Sequence, residues 1–175
     1  VTNALEGHPD NLAPALYGGF TAAMMHEGKP YVSRCATAAR LRFLAFVPEF
    51  ETSTHEARAA LPKLVAHADA VYTLSHALAL VNALRDGDAA AIGRAVSDRL
   101  HEPFRKKLIP GFDELKRAVT EAGAVAFFIS GSGSTCMSIY TDEDFPLRAK
   151  KAASALPGGW RTLPLSIDTD GAVVL

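Results

Sequence analysis

A polar segment near the start of the chain carries residue types that suit phosphate chemistry. Residues 6–11 read EGHPDN, and residues 9–17 predict a polar turn that enters a short helix, which Gly18 and Gly19 end. Unpaired backbone N–H groups and the positive end of the helix dipole favour anions at a helix N-terminus. The segment therefore predicts a place where a phosphate group is held. From its position alone, Asp10 is expected to cap the helix.

A second segment with possible chemical use lies late in the chain. Residues 130–134 read SGSGS, and they separate two stretches that are rich in apolar and β-branched residues. This pattern predicts a strand, a glycine-rich turn and a second strand, with backbone N–H groups exposed in the turn. A glycine-serine turn alone is weak evidence for a nucleotide site.

The elements that must position these segments form an α+β pattern. The predicted strands cover residues 20–25, 31–38, 40–50, 124–129, 136–140, 160–167 and 172–175. The predicted helices cover residues 54–60, 64–84, 89–100, 112–122 and 145–156. From residue 40 onward the order is strand, helices, strand, strand, helix, strand. That order indicates an antiparallel sheet with helices covering one face.

The chain divides into two predicted parts near residue 39. Residues 1–38 hold one helix and one hairpin, which is too little to form a core, so they are expected to be the remnant of an N-terminal domain. Residues 39–175 are expected to form the α+β domain. The first residue is Val1 rather than Met, and the polar segment follows with almost no scaffold before it. We therefore expect a truncated chain.

Composition excludes several function classes. The 175 residues are 49% hydrophobic, and 18 Lys and Arg residues face 19 Asp and Glu residues. This balance gives no broad basic field for nucleic acid or anionic lipid. Cys35 and Cys136 lack metal-site spacing, which favours a reducing, cytoplasmic setting. No apolar run is long enough to span a membrane, and no signal peptide is evident.

Three separated segments resemble the homoserine kinases of the GHMP small-molecule kinase family. They are residues 5–15 (LEGHPDNLAPA), residues 53–62 (STHEARAALP) and residues 98–111 (DRLHEPFRKKLIPG). A fourth segment, residues 123–133, resembles the third motif that GHMP kinases share. The order and spacing of these segments match the family along nearly the whole chain. The resemblance implies a GHMP kinase fold, with the N-terminal remnant followed by a ferredoxin-like C-terminal domain.

The resemblance also implies an activity. Homoserine kinases use ATP to phosphorylate the side-chain hydroxyl of L-homoserine, which gives O-phospho-L-homoserine on the route to threonine. Members of the family often form homodimers. The family's ATP-phosphate loop precedes the first motif, and no run of residues here resembles it. We therefore expect these residues alone to be inactive and to bind ATP poorly.

Four residues match the family's substrate site. The resemblance assigns Arg58 and Arg105 to the substrate carboxylate, which a planar guanidinium can bind through two parallel hydrogen bonds. It assigns Asp10 to contact with the substrate, where its carboxylate could pair with the ammonium group. Asn11 is expected to orient the reacting hydroxyl, because an amide cannot serve as a general base near neutral pH.

The remaining matches concern ATP and Mg²⁺, the cofactors that the resemblance implies. Gly131, Ser132 and Gly133 lie in the motif that helps to shape the nucleotide and substrate site. Glu6 resembles the glutamate that coordinates magnesium, for which a carboxylate oxygen is a suitable ligand.

Two alternatives stay open at this point. The first is another GHMP kinase, acting on mevalonate or a sugar, and the pair Arg58 and Arg105 argues against it because those substrates lack an amino-acid carboxylate. The second is a ferredoxin-like module without catalytic activity, whose sheet serves as a binding or association surface. The polar segment at residues 6–11 argues against that reading.

Overall fold

The structure, a computed structural model, describes residues 9–173 of the 175-residue chain. In chain order, the elements are α1 (Leu12–Tyr17), β1 (Phe20–His26), β2 (Lys29–Cys35), β3 (Arg42–Val47), α2 (Thr54–Ala59), α3 (His67–Asp86), α4 (Ala89–Ala95), α5 (Glu102–Arg105), a 3-10 turn (Lys106–Leu108), α6 (Phe112–Glu121), β4 (Ala126–Ile129), β5 (Cys136–Tyr140), α7 (Phe145–Ser154) and β6 (Arg161–Leu165).

The central sheet has four strands in the order β4-β5-β3-β6, and every neighbouring pair is antiparallel. Numbered within the domain, the strands lie in the order 2-3-1-4, with helices between the first and second strands and again between the third and fourth. This is the split β-α-β arrangement of a ferredoxin-like domain. The predicted α+β class and the ferredoxin-like C-terminal domain are therefore confirmed. Strands β1 and β2 form a separate antiparallel hairpin, as predicted.

The main core lies between one face of the sheet and helices α6 and α7. Alternate residues of β3 point into it, and the buried Leu44 and Phe46 belong to this cluster. On α6 the buried residues Phe112, Leu115 and Val119 recur at the spacing of one helix face. The strands and the two helices therefore hold each other through their apolar faces.

The opposite face of the sheet is also partly covered. Leu84 of α3 and Ile92 of α4 form a smaller buried cluster with Ala126 and Ile139 of the sheet. The expectation that helices cover only one face is therefore wrong. The cause is tertiary: the stretch between β3 and β4 is long enough to send α3 and α4 to one face and α6 to the other.

Helix boundaries differ from the sequence prediction in two places. Helix α4 ends at Ala95 rather than near residue 100, because Asp98 accepts hydrogen bonds that begin the next helix. Helix α3 begins at His67 rather than at residue 64. It is the longest helix, yet in the part of the chain that the structure describes no helix has the length and hydropathy needed to cross a lipid bilayer.

The segment at residues 168–172 packs against residues 16–19. The Gly19 N–H donates to the Asp168 carbonyl at 2.6 Å, and the Ala172 N–H donates to Leu16 at 3.2 Å. Gly18 has φ +67°, and a Cβ at this position would lie 2.7 Å from the backbone of the 168–171 turn. The predicted strand at residues 172–175 is wrong for Ala172 and the following residue, which are not in a strand. The rest of it lies outside the described residues, and the division at residue 39 stays a prediction.

Burial separates the two cysteines chemically. Burial, together with the nearby Glu102 carboxylate, raises the pKa of the Cys136 thiol to about 12, whereas Cys35 is only partly buried. At pH 8 roughly one Cys136 in 10⁴ would be a thiolate. We expect iodoacetamide at pH 8 to alkylate Cys35 in the folded protein and Cys136 only after denaturation, as measured by peptide mass spectrometry. Equal labelling rates in the folded protein would contradict the buried placement.

Candidate active site

Arg105 connects three of the segments that the sequence analysis singled out. It is the last residue of α5, and its partly buried guanidinium donates from Nη1 to the Gly131 carbonyl at 2.9 Å. From Nε it donates to the Ala57 carbonyl at 3.4 Å. Because Ala57 lies in α2 and Gly131 in the glycine-rich turn, one side chain brings both segments to the end of α5.

Helix α2 presents Arg58 to solvent. The Ser53 hydroxyl accepts a hydrogen bond from the His55 N–H at 3.2 Å and caps the helix, while Ala57 is fully buried. The next residue, Arg58, is exposed, and its side chain has no hydrogen bond or ion pair with any residue in the range 9–173. A guanidinium held on a packed helix and free of internal partners is suited to binding an external anion.

The glycine-rich turn between β4 and β5 is closed by its own backbone. The Ser130 N–H donates to Thr135 at 2.9 Å, and the Gly133 N–H donates to Ser130 at 3.0 Å. The Gly131 and Ser132 N–H groups have no partner within the described part of the chain, so they can serve an anionic ligand. At Gly133, with φ +88°, a Cβ would lie 3.0 Å from Ile109.

A side-chain hydrogen bond also ties the glycine-rich turn to the connection that leads into α2. The buried Ser134 hydroxyl donates to the Phe50 carbonyl at 2.9 Å. Together with the Arg105 hydrogen bonds, this contact holds the turn and α2 in a fixed relation. The turn is therefore tied both to α2, through Arg105, and to the connection that leads into α2.

The start of α5 is organised by two acidic residues to which the sequence analysis gave no site role. The Asp98 carboxylate accepts from the backbone N–H groups of Leu100, His101 and Glu102 at 2.8, 2.7 and 2.5 Å. Glu102 forms an ion pair with Lys116 of α6 at 2.5 Å. An Asp a few residues before a Pro-containing helix start was the sequence signal that could have identified Asp98 as a cap.

Asp10 and Asn11 lie at the start of α1. The Asn11 N–H donates to Asp10 Oδ1 at 3.0 Å, but neither side chain caps the helix. The expected cap at Asp10 is wrong, because Asn11 already has helical backbone angles and the first helical hydrogen bond runs from Ala13 to Pro9. Among the described residues, Asp10 and Asn11 make no hydrogen bond or ion pair with Arg58, Arg105 or the glycine-rich turn.

The predicted magnesium ligand, Glu6, lies outside the described residues. Within residues 9–173, no group of three or more His, Cys, Asp or Glu side chains is placed to hold a metal ion.

A cavity of about 600 Å³ lies between the second face of the sheet and helices α3 and α4. Its lining is mainly apolar and includes Phe20, Phe43, Leu80 and Phe128. None of the predicted site residues within the described part of the chain lines this cavity. An apolar cavity of this kind does not suit a small zwitterion, which must exchange hydration for hydrogen bonds and ion pairs.

Comparison with known proteins shows what this chain is similar to. Residues 80–158 match the family described as GHMP kinases C terminal. A homoserine kinase from Clostridium beijerinckii is 38% identical over 173 residues, which are 98% of this chain and 58% of that protein. The crystal structure of homoserine kinase from Cytophaga hutchinsonii is 34% identical and superimposes with a TM-score of 0.86, covering 93% of this chain and 53% of that one.

A more distant structure shares the fold alone. The mevalonate kinase of L. major, solved in complex with R-mevalonate, has a TM-score of 0.67 at 16% identity, covering 89% of this chain and 51% of that one. The chain thus spans between half and three fifths of the length of each of these proteins.

Proposed function

Because this chain belongs to the GHMP kinase family, whose C-terminal domain it carries, we propose that the full-length protein phosphorylates the side-chain hydroxyl of L-homoserine. ATP is the phosphoryl donor, and the product is O-phospho-L-homoserine, an intermediate on the route to threonine. The sequence resemblance to this family, which the motifs predicted, is confirmed by relatives along nearly the whole chain.

The observation that carries this proposal is the pair of Arg105 hydrogen bonds. They join α2, whose Arg58 side chain has no partner within residues 9–173, to the turn whose Gly131 and Ser132 N–H groups have none in that range either. A substrate with a carboxylate and a donor with phosphates require cationic and N–H donors of these kinds. Mevalonate has a carboxylate but no ammonium group, and galactose has neither.

Each site residue has a distinct role in the proposed reaction. Arg58 binds the substrate carboxylate together with the Nη2 of Arg105, which has no partner among the described residues, and Asp10 pairs with the ammonium group. Asn11 orients the hydroxyl, which suffices because phosphoryl transfer has a loose transition state and depends mainly on positioning.

The donor side of the site uses the glycine-rich turn. Gly131 and Ser132 supply backbone N–H groups to the phosphates of ATP, and Gly133 lets the backbone come close to them. Magnesium, when bound, would neutralise charge on the phosphate oxygens, and Glu6 is the residue that we assign to it.

We infer that these 175 residues alone do not catalyse the reaction. The chain spans 58% of the Clostridium beijerinckii relative, so a site assembled from both parts of such a protein would be incomplete here. The activity, the substrates and a possible homodimer are properties proposed for the full-length protein.

A substrate panel tests the proposal. The full-length protein is incubated with ATP and L-homoserine, mevalonate or galactose, and ADP release and product mass are measured. We expect turnover with L-homoserine only, and we expect none when D-homoserine replaces it, because the inverted centre separates the carboxylate and ammonium contacts from the hydroxyl.

The outcomes separate the alternatives. Turnover with mevalonate or galactose, but not with homoserine, would be consistent with a GHMP kinase and would contradict homoserine as its substrate. Absence of ADP release with every substrate, in a folded full-length protein, would favour a binding or association module.

A further inference from the structure

We propose that Asp98 is a positioning residue for the substrate carboxylate and acts through Arg105; this inference rests on the proposed function. Asp98 lies seven residues before Arg105, and it is not one of the residues proposed to contact the substrate. Its carboxylate accepts three backbone N–H groups, from Leu100, His101 and Glu102, all at 2.8 Å or less. Such bonds are strong because the acceptor is ionised.

The hydrogen bonds of Asp98 fix the start of a very short helix. Helix α5 has only four residues, so its interior hydrogen bonds are too few to hold its direction. Two anchors at its first turn supply that direction: the Asp98 carboxylate and the ion pair from Glu102 to Lys116. Arg105 is one turn further on, and its position therefore follows from these anchors.

The hydrogen bonds of Arg105 are sensitive to a small displacement of this helix. The distance from Nε to the Ala57 carbonyl is already 3.4 Å, near the limit for a hydrogen bond, while the distance from Nη1 to Gly131 is 2.9 Å. A shift of about 1 Å would break the first contact, because the distance would then exceed hydrogen-bonding range. The Nη2 that we propose to bind the substrate carboxylate would be displaced together with the rest of the guanidinium.

A purely structural cap is the competing explanation, and the chain provides a matched control for it. Asp88 caps α4 by accepting from the Ala91 N–H at 2.9 Å. Helix α4 carries none of the proposed site residues. Removing either carboxylate weakens a helix start, but only Asp98 is connected to Arg105.

The test compares Asp98→Ala and Asp88→Ala in the full-length protein by steady-state kinetics and urea unfolding. We expect both variants to unfold at lower urea concentration. We expect Asp98→Ala to raise the KM for L-homoserine about 10-fold, because a displaced contact to the substrate carboxylate weakens ground-state and transition-state binding alike. The KM for ATP should change less than about twofold. Asp88→Ala should leave both KM values unchanged. Asp98→Asn, which keeps one acceptor oxygen, serves if Asp98→Ala does not fold and should give an intermediate KM.

A double variant decides whether the effect passes through Arg105. In an Arg105→Ala background, Asp98→Ala should change the KM for L-homoserine less than about twofold, because the guanidinium through which Asp98 acts is already absent. A full 10-fold effect in that background, or an unchanged KM in Asp98→Ala alone, would overturn the inference while the parent enzyme still phosphorylates homoserine. Absence of homoserine turnover in the parent would instead overturn the proposed function and this inference with it.

Discussion

Replacing Arg58 by alanine in the full-length protein is expected to lower kcat/KM for L-homoserine by about 100-fold, which corresponds to ~2.7 kcal/mol of lost transition-state stabilisation. The reason is that Arg58 is exposed and without an internal partner in the described part of the chain, so its charge is available to the substrate carboxylate. A charge-assisted hydrogen bond contributes about 1.5–3 kcal/mol, and a bidentate pair reaches the upper part of that range. Steady-state kinetics with homoserine as the varied substrate measures the loss.

The same reasoning predicts little change in the stability of the fold. Because no described residue loses a partner when Arg58 is truncated, the free energy of unfolding should change by less than about 0.5 kcal/mol. Arg58→Lys keeps the charge but not the planar pair of donors, so it should recover part of the lost activity. Arg117, which is exposed on α6, provides the matched control, and Arg117→Ala should change neither activity nor stability. An Arg58→Ala enzyme with parental kcat/KM would remove Arg58 from the site.

Elements with strong periodicity were predictable from the sequence. Helix α6 was expected over residues 112–122 and is observed as Phe112–Glu121, because its apolar residues follow one helix face and pack on the sheet. The hairpin of β1 and β2 was predictable because turn-forming residues separate two β-prone runs. In both cases, local pattern and tertiary packing favour the same structure.

Other features were missed, either because helix periodicity masked a local cap or because the tertiary fold decides them. The end of α4 depends on Asp98, whose carboxylate takes up the N–H groups that begin α5. The second covered face of the sheet depends on where α3 and α4 fold back, which periodicity does not encode. Asp10 has a residue type suited to capping, but the backbone enters the helix one residue too early for it to do so.

In the candidate site, too, the sequence predicts the individual segments but not how they come together. The motifs identified Arg58, Arg105 and the glycine-rich turn as separate segments. Their proximity depends on hydrogen bonds from Arg105 to residues 48 and 26 positions away in the chain. Contacts of that sequence separation follow from the assembled domain and from no local signal.

Removing the two Arg105 hydrogen bonds should lower both stability and activity, whereas replacing Arg58 should lower activity alone. Arg105→Met keeps much of the volume of the side chain but removes the donors to the Ala57 and Gly131 carbonyls. We expect the free energy of unfolding to fall by about 1 kcal/mol, because the buried Ala57 and the exposed Gly131 lose the charged donor to their carbonyls. We also expect kcat/KM for homoserine to fall by about 100-fold or more, since α2 and the glycine-rich turn are no longer held together. Urea unfolding and steady-state kinetics measure the two losses.

Arg105→Lys should not restore either quantity. A lysine has one ammonium group on a flexible chain and cannot reproduce the fixed spacing between Nε and Nη1 that serves both carbonyls. Arg58→Lys, by contrast, should be partly active, because a single charge near an exposed carboxylate still attracts it. If Arg105→Lys were as active and as stable as the parent, then charge alone would account for Arg105. The bridge between α2 and the glycine-rich turn would in that case not control the site.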